Sequence, residues 1–266
     1  MYKKLTAGLL LLCMTALPGL SYTAAHADTP ANAAGKPTVI ATEAADVTGD
    51  GVKDSITLVG TSPDDNSAFQ NSISLRIFDA STNKMIEADL KDFGGYEPKI
   101  FLGDFTGDKV KDIMISAPTG GSGGIIDNRI VTVKDGKAQL IFGEDDNAGL
   151  ALSGKFADGF KANLKVEQLN KDFTVDLSAF KDGYVEGGTY DASGKLKVDV
   201  EPWADGFSLL EPVEYTGDGT YYLRGIQSIS GVAHVNRISN MESLWKYSDG
   251  KWVPCNVTYS TSLVAQ

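Results

Sequence analysis

Three stretches of this chain repeat one spacing of acids, threonine and glycine, and that spacing limits what the chain can fold into. They are Asp46-Val47-Thr48-Gly49-Asp50-Gly51-Val52-Lys53-Asp54, Asp104-Phe105-Thr106-Gly107-Asp108-Lys109-Val110-Lys111-Asp112 and Glu214-Tyr215-Thr216-Gly217-Asp218-Gly219-Thr220-Tyr221-Tyr222. Their starts lie 58 and 110 residues apart, and 110 is close to twice 55. A unit that has lost the motif is therefore expected around residues 158–213, where Asp158-Gly159 precedes further alternating segments. Four units of about this length fill most of the chain, and a fixed period of this size points to small antiparallel sheets repeated along the sequence.

The stretches between the motifs read as strands. Apolar and polar residues alternate at Ile56/Leu58, Ile73/Leu75/Ile77, Phe173/Val175/Leu177 and Leu196/Val198/Val200, each run bounded by Gly, Asp or Asn. No segment keeps a helical apolar period for long. Asp135-Gly136-Lys137, Ser193-Gly194-Lys195 and Asp249-Gly250-Lys251 have the glycine that a tight turn between twisted strands needs. The expectation is an all-β, propeller-like repeat architecture of about four blades, complete or incomplete, with calcium loops between the strands.

The N-terminus reads as an export signal. Lys3 and Lys4 precede an apolar run from Leu5 to Leu17, Pro18-Gly19 breaks it, and Ala25-His26-Ala27 offers small residues for cleavage. That run is too short for a bilayer, which needs roughly 20 helical residues, so no membrane span is expected. Leu12 stands before Cys13, where lipidation needs a small residue. Residues 1–27 are thus read as a signal peptide, 28–37 as a disordered leader and 38–266 as a single β-repeat domain. Removal of residues 1–27 takes away two lysines and no acid, so the charge moves from −11 to −13 and Cys255 is left as the one cysteine. No intramolecular disulfide can then form in an oxidising compartment.

Charge and composition exclude some partners. With 24 Lys+Arg against 35 Asp+Glu and no basic cluster, the chain cannot neutralise a phosphate backbone, so nucleic acid is excluded. Two histidines and two cysteines cannot supply a zinc site together with a spare base. The loops themselves suggest a hard cation. Oxygen ligands at positions 1, 3, 5 and 9, a carbonyl at 7 and a glycine near 6 can wrap around calcium. In the first loop these are Asp46, Thr48, Asp50, the Val52 carbonyl and Asp54. In the second they are Asp104, Thr106, Asp108, the Val110 carbonyl and Asp112, with Lys109 straining the turn where glycine is wanted. The third loop has lost its first and last aspartates and is expected to be empty or weak. No loop has a glutamate at position 12, so none is an EF-hand.

The run from Gly103-Asp104-Phe105-Thr106-Gly107-Asp108 through Asp112-Ile113-Met114-Ile115-Ser116-Ala117-Pro118 resembles the FG-GAP or VCBS repeat of integrin alpha heads and many secreted bacterial proteins. The resemblance is good over 101–133, fair over 46–60 and weak over 214–230. It implies propeller-type blades, structural calcium in the blade loops and an extracellular binding role without catalysis.

Other constellations carry less. Gly120-Gly121-Ser122-Gly123-Gly124 has the letters of a nucleophile elbow but lacks a following helix pattern. His234 could act as a general base, although a lone strand histidine is the simpler reading. Tyr215, Tyr221, Tyr222, Trp245, Tyr247 and Trp252 offer either a stacking platform for sugar or peptide or ordinary core packing. Asn256-Val257-Thr258 has the glycosylation spacing. The function expected is that of a secreted, non-enzymatic, calcium-binding repeat protein that binds a protein or glycan at the cell surface. The alternatives are a secreted polysaccharide-active hydrolase and a structural envelope component.

Overall fold

A computed structural model describes residues 35–64 and 66–261. The signal peptide, Cys13 and most of the leader lie outside the described residues. Each alternating segment that carries apolar residues on one face pairs with its sequence neighbour, because a hairpin is the shortest way to satisfy both backbones. Strands β1 (Thr38–Ala45), β2 (Asp54–Thr61), β4 (Ser72–Asp79) and β5 (Lys84–Ala88) form sheet 1 in that order, entirely antiparallel. The two-residue strands β3 (Phe69–Gln70) and β6 (Gly95–Tyr96) pair separately. Sheet 2 runs β7 (Lys99–Gly103), β8 (Asp112–Pro118), β9 (Ile126–Lys134) and β10 (Lys137–Phe142), followed by the single-turn helix α1 (Glu144–Asn147). Sheet 3 holds β11 (Leu152–Ala157), β12 (Lys161–Val166) and β13 (Lys171–Asp176). After the short helix α2 (Lys181–Glu186), sheet 4 is built from β14 (Trp203–Glu214), β15 (Tyr221–Ser230), β16 (Arg237–Ser248) and β17 (Lys251–Ser260).

The turns follow the local sequence. Asp135-Gly136 joins β9 to β10 and Asp249-Gly250 joins β16 to β17, each with positive φ at both residues, as a two-residue turn between right-twisted strands requires. The Gly120–Gly124 run lies between the antiparallel strands β8 and β9, closed by Thr119 N–H to the Ile125 carbonyl at 3.0 Å, with no helix after it. Leu196/Val198/Val200 is not a strand. Its only ladder contact is the isolated bridge of Leu196 to Tyr190, and Val198 is exposed. Leu196 and Val200 instead pack as irregular chain against the core, and the Val200 carbonyl accepts the Phe156 N–H at 3.0 Å.

Two apolar clusters show how the sheets layer. Ile113, Ile115, Val131 and Val133 of sheet 2 join Ile56, Leu58, Leu75 and Ile77 of sheet 1. The intervening Met114 and Ile130 point the other way, into a cluster with Phe207, Leu223, Met241 and Trp245 of sheet 4 and Phe156, Leu164 and Val175 of sheet 3. Successive strand residues face opposite sides, so β8 reads as the continuous apolar run Ile113-Met114-Ile115 because both faces of sheet 2 are covered. The chain is therefore all-β in several separate antiparallel sheets, and no closed barrel or propeller forms among the described residues. Sheet 2 packs on sheet 4, with β9 against β14, although sheet 3 lies between them in sequence.

Polar anchors fix these layers. Gln227, fully buried in β15, accepts the Leu150 N–H at 2.8 Å and donates to the carbonyls of Ala148 at 2.9 Å and Asp205 at 2.8 Å. Gly149 passes so close that a Cβ there would lie 2.5 Å from the Gln227 amide oxygen, and its φ is +64. Buried Arg129 donates to the carbonyls of Leu90 at 2.9 Å and Lys91 at 3.2 Å, pairs with Asp127, and lies 4.9 Å from the centre of the Phe93 ring. One guanidinium thus ties the segment after β5 to β9.

Candidate functional site

The three repeated loops occupy the same place in three sheets, linking β1 to β2, β7 to β8 and β14 to β15. Their side chains do the same work. Asp46 accepts the N–H groups of Gly49 at 2.7 Å and Gly51 at 2.8 Å, and Asp50 accepts Val52 at 2.8 Å. Asp54, 1% exposed, accepts the N–H groups of Val47 at 3.0 Å and Thr48 at 3.2 Å and the Thr48 hydroxyl at 3.1 Å. In the second loop Asp104 accepts Gly107 at 2.6 Å and Lys109 at 2.9 Å, Asp108 accepts Val110 at 2.9 Å, and buried Asp112 accepts Phe105 at 2.8 Å and Thr106 at 3.1 Å. Glu214 and Asp218 repeat part of the pattern on Gly219 and Thr220. Lys109 takes φ +71 where the other two loops have glycine at +86 and +88.

A calcium site needs several acids converging on one point. Among the described residues no group of three or more His, Cys, Asp or Glu does so. The carboxylates are committed to backbone N–H groups instead, and the third position is a threonine. The residues expected to hold calcium, Asp46, Thr48, Asp50, Val52 and Asp54, and likewise Asp104, Thr106, Asp108, Val110 and Asp112, lie together in two loops whose carboxylates accept backbone N–H groups. They frame two turns. The loops also touch one another: the Tyr221 N–H donates to the Asp104 carbonyl at 2.7 Å, and Gly49 lies against the Val110 side chain.

The aromatic residues divide. Tyr221 packs edge-on against Phe101 at 5.0 Å, and Trp245 is buried against Phe207 at 6.1 Å. Tyr222 is also buried, whereas Tyr215 is 64% exposed. Tyr247 and Trp252 sit on either side of the β16–β17 turn with ring centres 5.4 Å apart. They line an open cleft of about 600 Å³ together with Glu144, Asp145 and Asp146 of α1 and with Lys91 and Lys251. The Trp252 indole N–H donates to the Ile141 carbonyl at 2.7 Å, which fixes the ring against Phe105 and Phe142. Burial pushes the Asp146 carboxyl up, against the Gly143 N–H, which donates to it at 2.8 Å. Burial, aided by the charges of Asp112 and Asp146, pushes the Tyr247 hydroxyl up as well. The cleft therefore combines flat apolar surface with hydrogen-bond acceptors, the pattern of a small polar ligand site.

A second cavity of about 280 Å³ lies over sheet 4 beside Val213, Tyr215, Arg224, Leu244 and Thr258. Its cation is spent: Arg224 donates to Glu242 at 2.6 Å and Glu211 at 2.7 Å. His234 has a partner that sequence reasoning missed. Its Nδ1 lies 2.9 Å from Asp205, which is 5% exposed and also accepts the Trp203 indole N–H at 2.9 Å and the Ser230 hydroxyl at 2.6 Å. Ser230 and His234 are bonded to the two oxygens of one carboxylate, so the group anchors the β15–β16 loop.

The family model for the YybI C-terminal domain matches residues 150–260, the span that holds sheets 3 and 4. The uncharacterized protein YybI of Bacillus subtilis (strain 168) is 32% identical over 216 residues, 81% of this chain and 82% of that protein. The chain belongs to the YybI family. No solved structure matches it. Membership of the YybI family replaces the FG-GAP or VCBS resemblance and, with it, the integrin-like calcium-repeat reading. The resemblance arose because Asp-x-Thr-Gly-Asp is a good turn sequence in its own right: its acids cap N–H groups and its glycines reach positive φ. In this YybI-family chain no helix among the described residues is long and apolar enough to cross a membrane.

Proposed function

We propose that this YybI-family chain is an exported, non-enzymatic binding protein that holds a glycan in the cleft between α1 and the β16–β17 turn. The observation that carries the reading is the Tyr247–Trp252 pair lining that cleft together with three carboxylates. Sugar rings stack their C–H faces on aromatic surface, and their hydroxyls donate to carboxylates, so the two kinds of group serve one ligand class. The lysine-flanked apolar segment and Ala25-His26-Ala27 support export.

A glycan array, followed by calorimetry on the best oligosaccharide, tests this. Tyr247→Ala and Asp145→Asn are each expected to weaken binding at least tenfold, about 1.4 kcal/mol, while leaving the melting midpoint within a few degrees. Retention of no glycan, or binding indifferent to both substitutions, overturns the reading. Cleavage of a bound oligosaccharide would make the protein a hydrolase instead.

A further inference from the structure

Strand β17 closes sheet 4 on one side and pairs only with β16, so its outer edge carries backbone donors and acceptors with no strand paired to them among the described residues, while the Tyr259 ring rests 4.6 Å from that of Phe173 on β13. Folded proteins guard such edges with charge, proline, bulges or a covering element. The opposite edge of the sheet, β14, has all of these: Asp205, Glu211 and Glu214, Pro212, two irregularities of register and contact with β9. The outer strands of sheet 3 carry Lys155 on β11 and Lys171, Asp172 and Asp176 on β13. After its first residue β17 has no charged side chain at all, from Trp252 to Ser260. Its guards, Pro254 and a register break that leaves Cys255 without a partner on β16, lie at the near end. Asn256–Ser260 runs on in unbroken register with Asn240–Leu244.

We propose that Asn256–Ser260 pairs antiparallel with the same five residues of a second copy of this chain, extending sheet 4 across a two-fold axis at Thr258. A free antiparallel edge is complementary to itself, because one run supplies donors and acceptors in alternation to an inverted copy. The charge of −11 opposes the approach of two copies over most of their surface, and the uncharged edge is where that repulsion is least. The axis is set by the run itself: pairing centred on Thr258 uses all five residues, placing Asn256 opposite Ser260, and keeps Pro254 outside the ladder. Five residues make a small interface, so the dimer forms and dissociates with concentration rather than persisting as an obligate unit.

Sedimentation equilibrium of the full chain from micromolar to near-millimolar concentration tests the pairing. A monomer–dimer equilibrium is expected. Thr258→Lys places two like-charged side chains directly opposite each other across the axis, their Cβ atoms about 5 Å apart, and is expected to weaken the dimer at least tenfold. It does so while making the chain less acidic, which would favour association if the effect were one of overall charge. Thr258 faces Glu242 on β16, so the lysine has a fold-compatible neighbour, and an unchanged melting midpoint verifies that the variant is folded. Thr258→Asp is expected to weaken self-association as well, and an equimolar mixture of the two variants to restore a dimer. A chain that stays monomeric throughout, or a dimer that both substitutions leave intact, overturns the proposal.

Discussion

Lys109 holds a left-handed backbone, φ +71, at a position where the two sister loops use glycine. A side chain there costs about 1 kcal/mol or more, and glycine would return part of that as unfolded-state entropy. Lys109→Gly is expected to stabilise the protein by about 0.5–1 kcal/mol, read as a higher urea midpoint at unchanged slope. The strain was legible in the sequence because the three loops align residue by residue. Asp112 shows what was not. Its carboxyl is pushed up from 3.8 to about 6, chiefly by burial, against the hydrogen bonds from Thr132, Phe105 and Thr106. A raised acid binds its proton more tightly folded than unfolded, so its contribution is complete below about pH 4 and is lost as pH rises through about 6. Stability of the wild type relative to Asp112→Asn is therefore expected to fall across that window by about 3 kcal/mol and to level off above it, measured by chemical denaturation at stepped pH. Asp205 was likewise silent in the sequence, since only the pairing of β14 with β15 and the turn to β16 bring it to His234. Asp205→Ala strands the Ser230 hydroxyl and the Trp203 N–H and is expected to cost about 2 kcal/mol.

Among the elements, hairpins with local signals were readable and long-range stitches were not. Asp-Gly turns and two-residue alternation located β2, β4, β9, β10, β13, β16 and β17, because both signals act within a few residues. Leu196/Val198/Val200 shows the same alternation without a strand: alternation reports one buried face, and irregular chain laid on a core buries alternate residues too. The segment after β5 depends on Arg129, which no spacing in the sequence announces. Arg129→Met keeps the volume but leaves the carbonyls of Leu90, Lys91 and Asn128 and the carboxylate of Asp127 without this donor. It is expected to destabilise by about 3 kcal/mol and to raise hydrogen exchange in β5 and β9 ahead of sheet 4.

For the molecule as a whole, the repeat spacing foreshadowed several small sheets but not their packing. Spacing counts units along the chain, whereas packing depends on which apolar faces meet, and here sheet 2 meets sheet 4 across the residues of sheet 3. The cleft and the β17 edge are separate features of this assembly. Tyr247→Ala is expected to weaken glycan binding at least tenfold without altering self-association, and Thr258→Lys to weaken self-association without altering glycan binding, with both measured on the same two preparations.

The covering of sheet 2 on both sides also has a timing. Its Ile113/Val131 face meets partners that precede it in the chain, so that core can close as soon as β10 is made. The Met114, Ile130 and Phe142 face belongs to a cluster that is completed only by residues beyond Trp203. At about 5–20 residues per second that delay is roughly 3–12 s of synthesis. During those seconds the half-made molecule displays an oily sheet to its surroundings, and a chaperone or a neighbouring nascent chain meets that surface before β14 does.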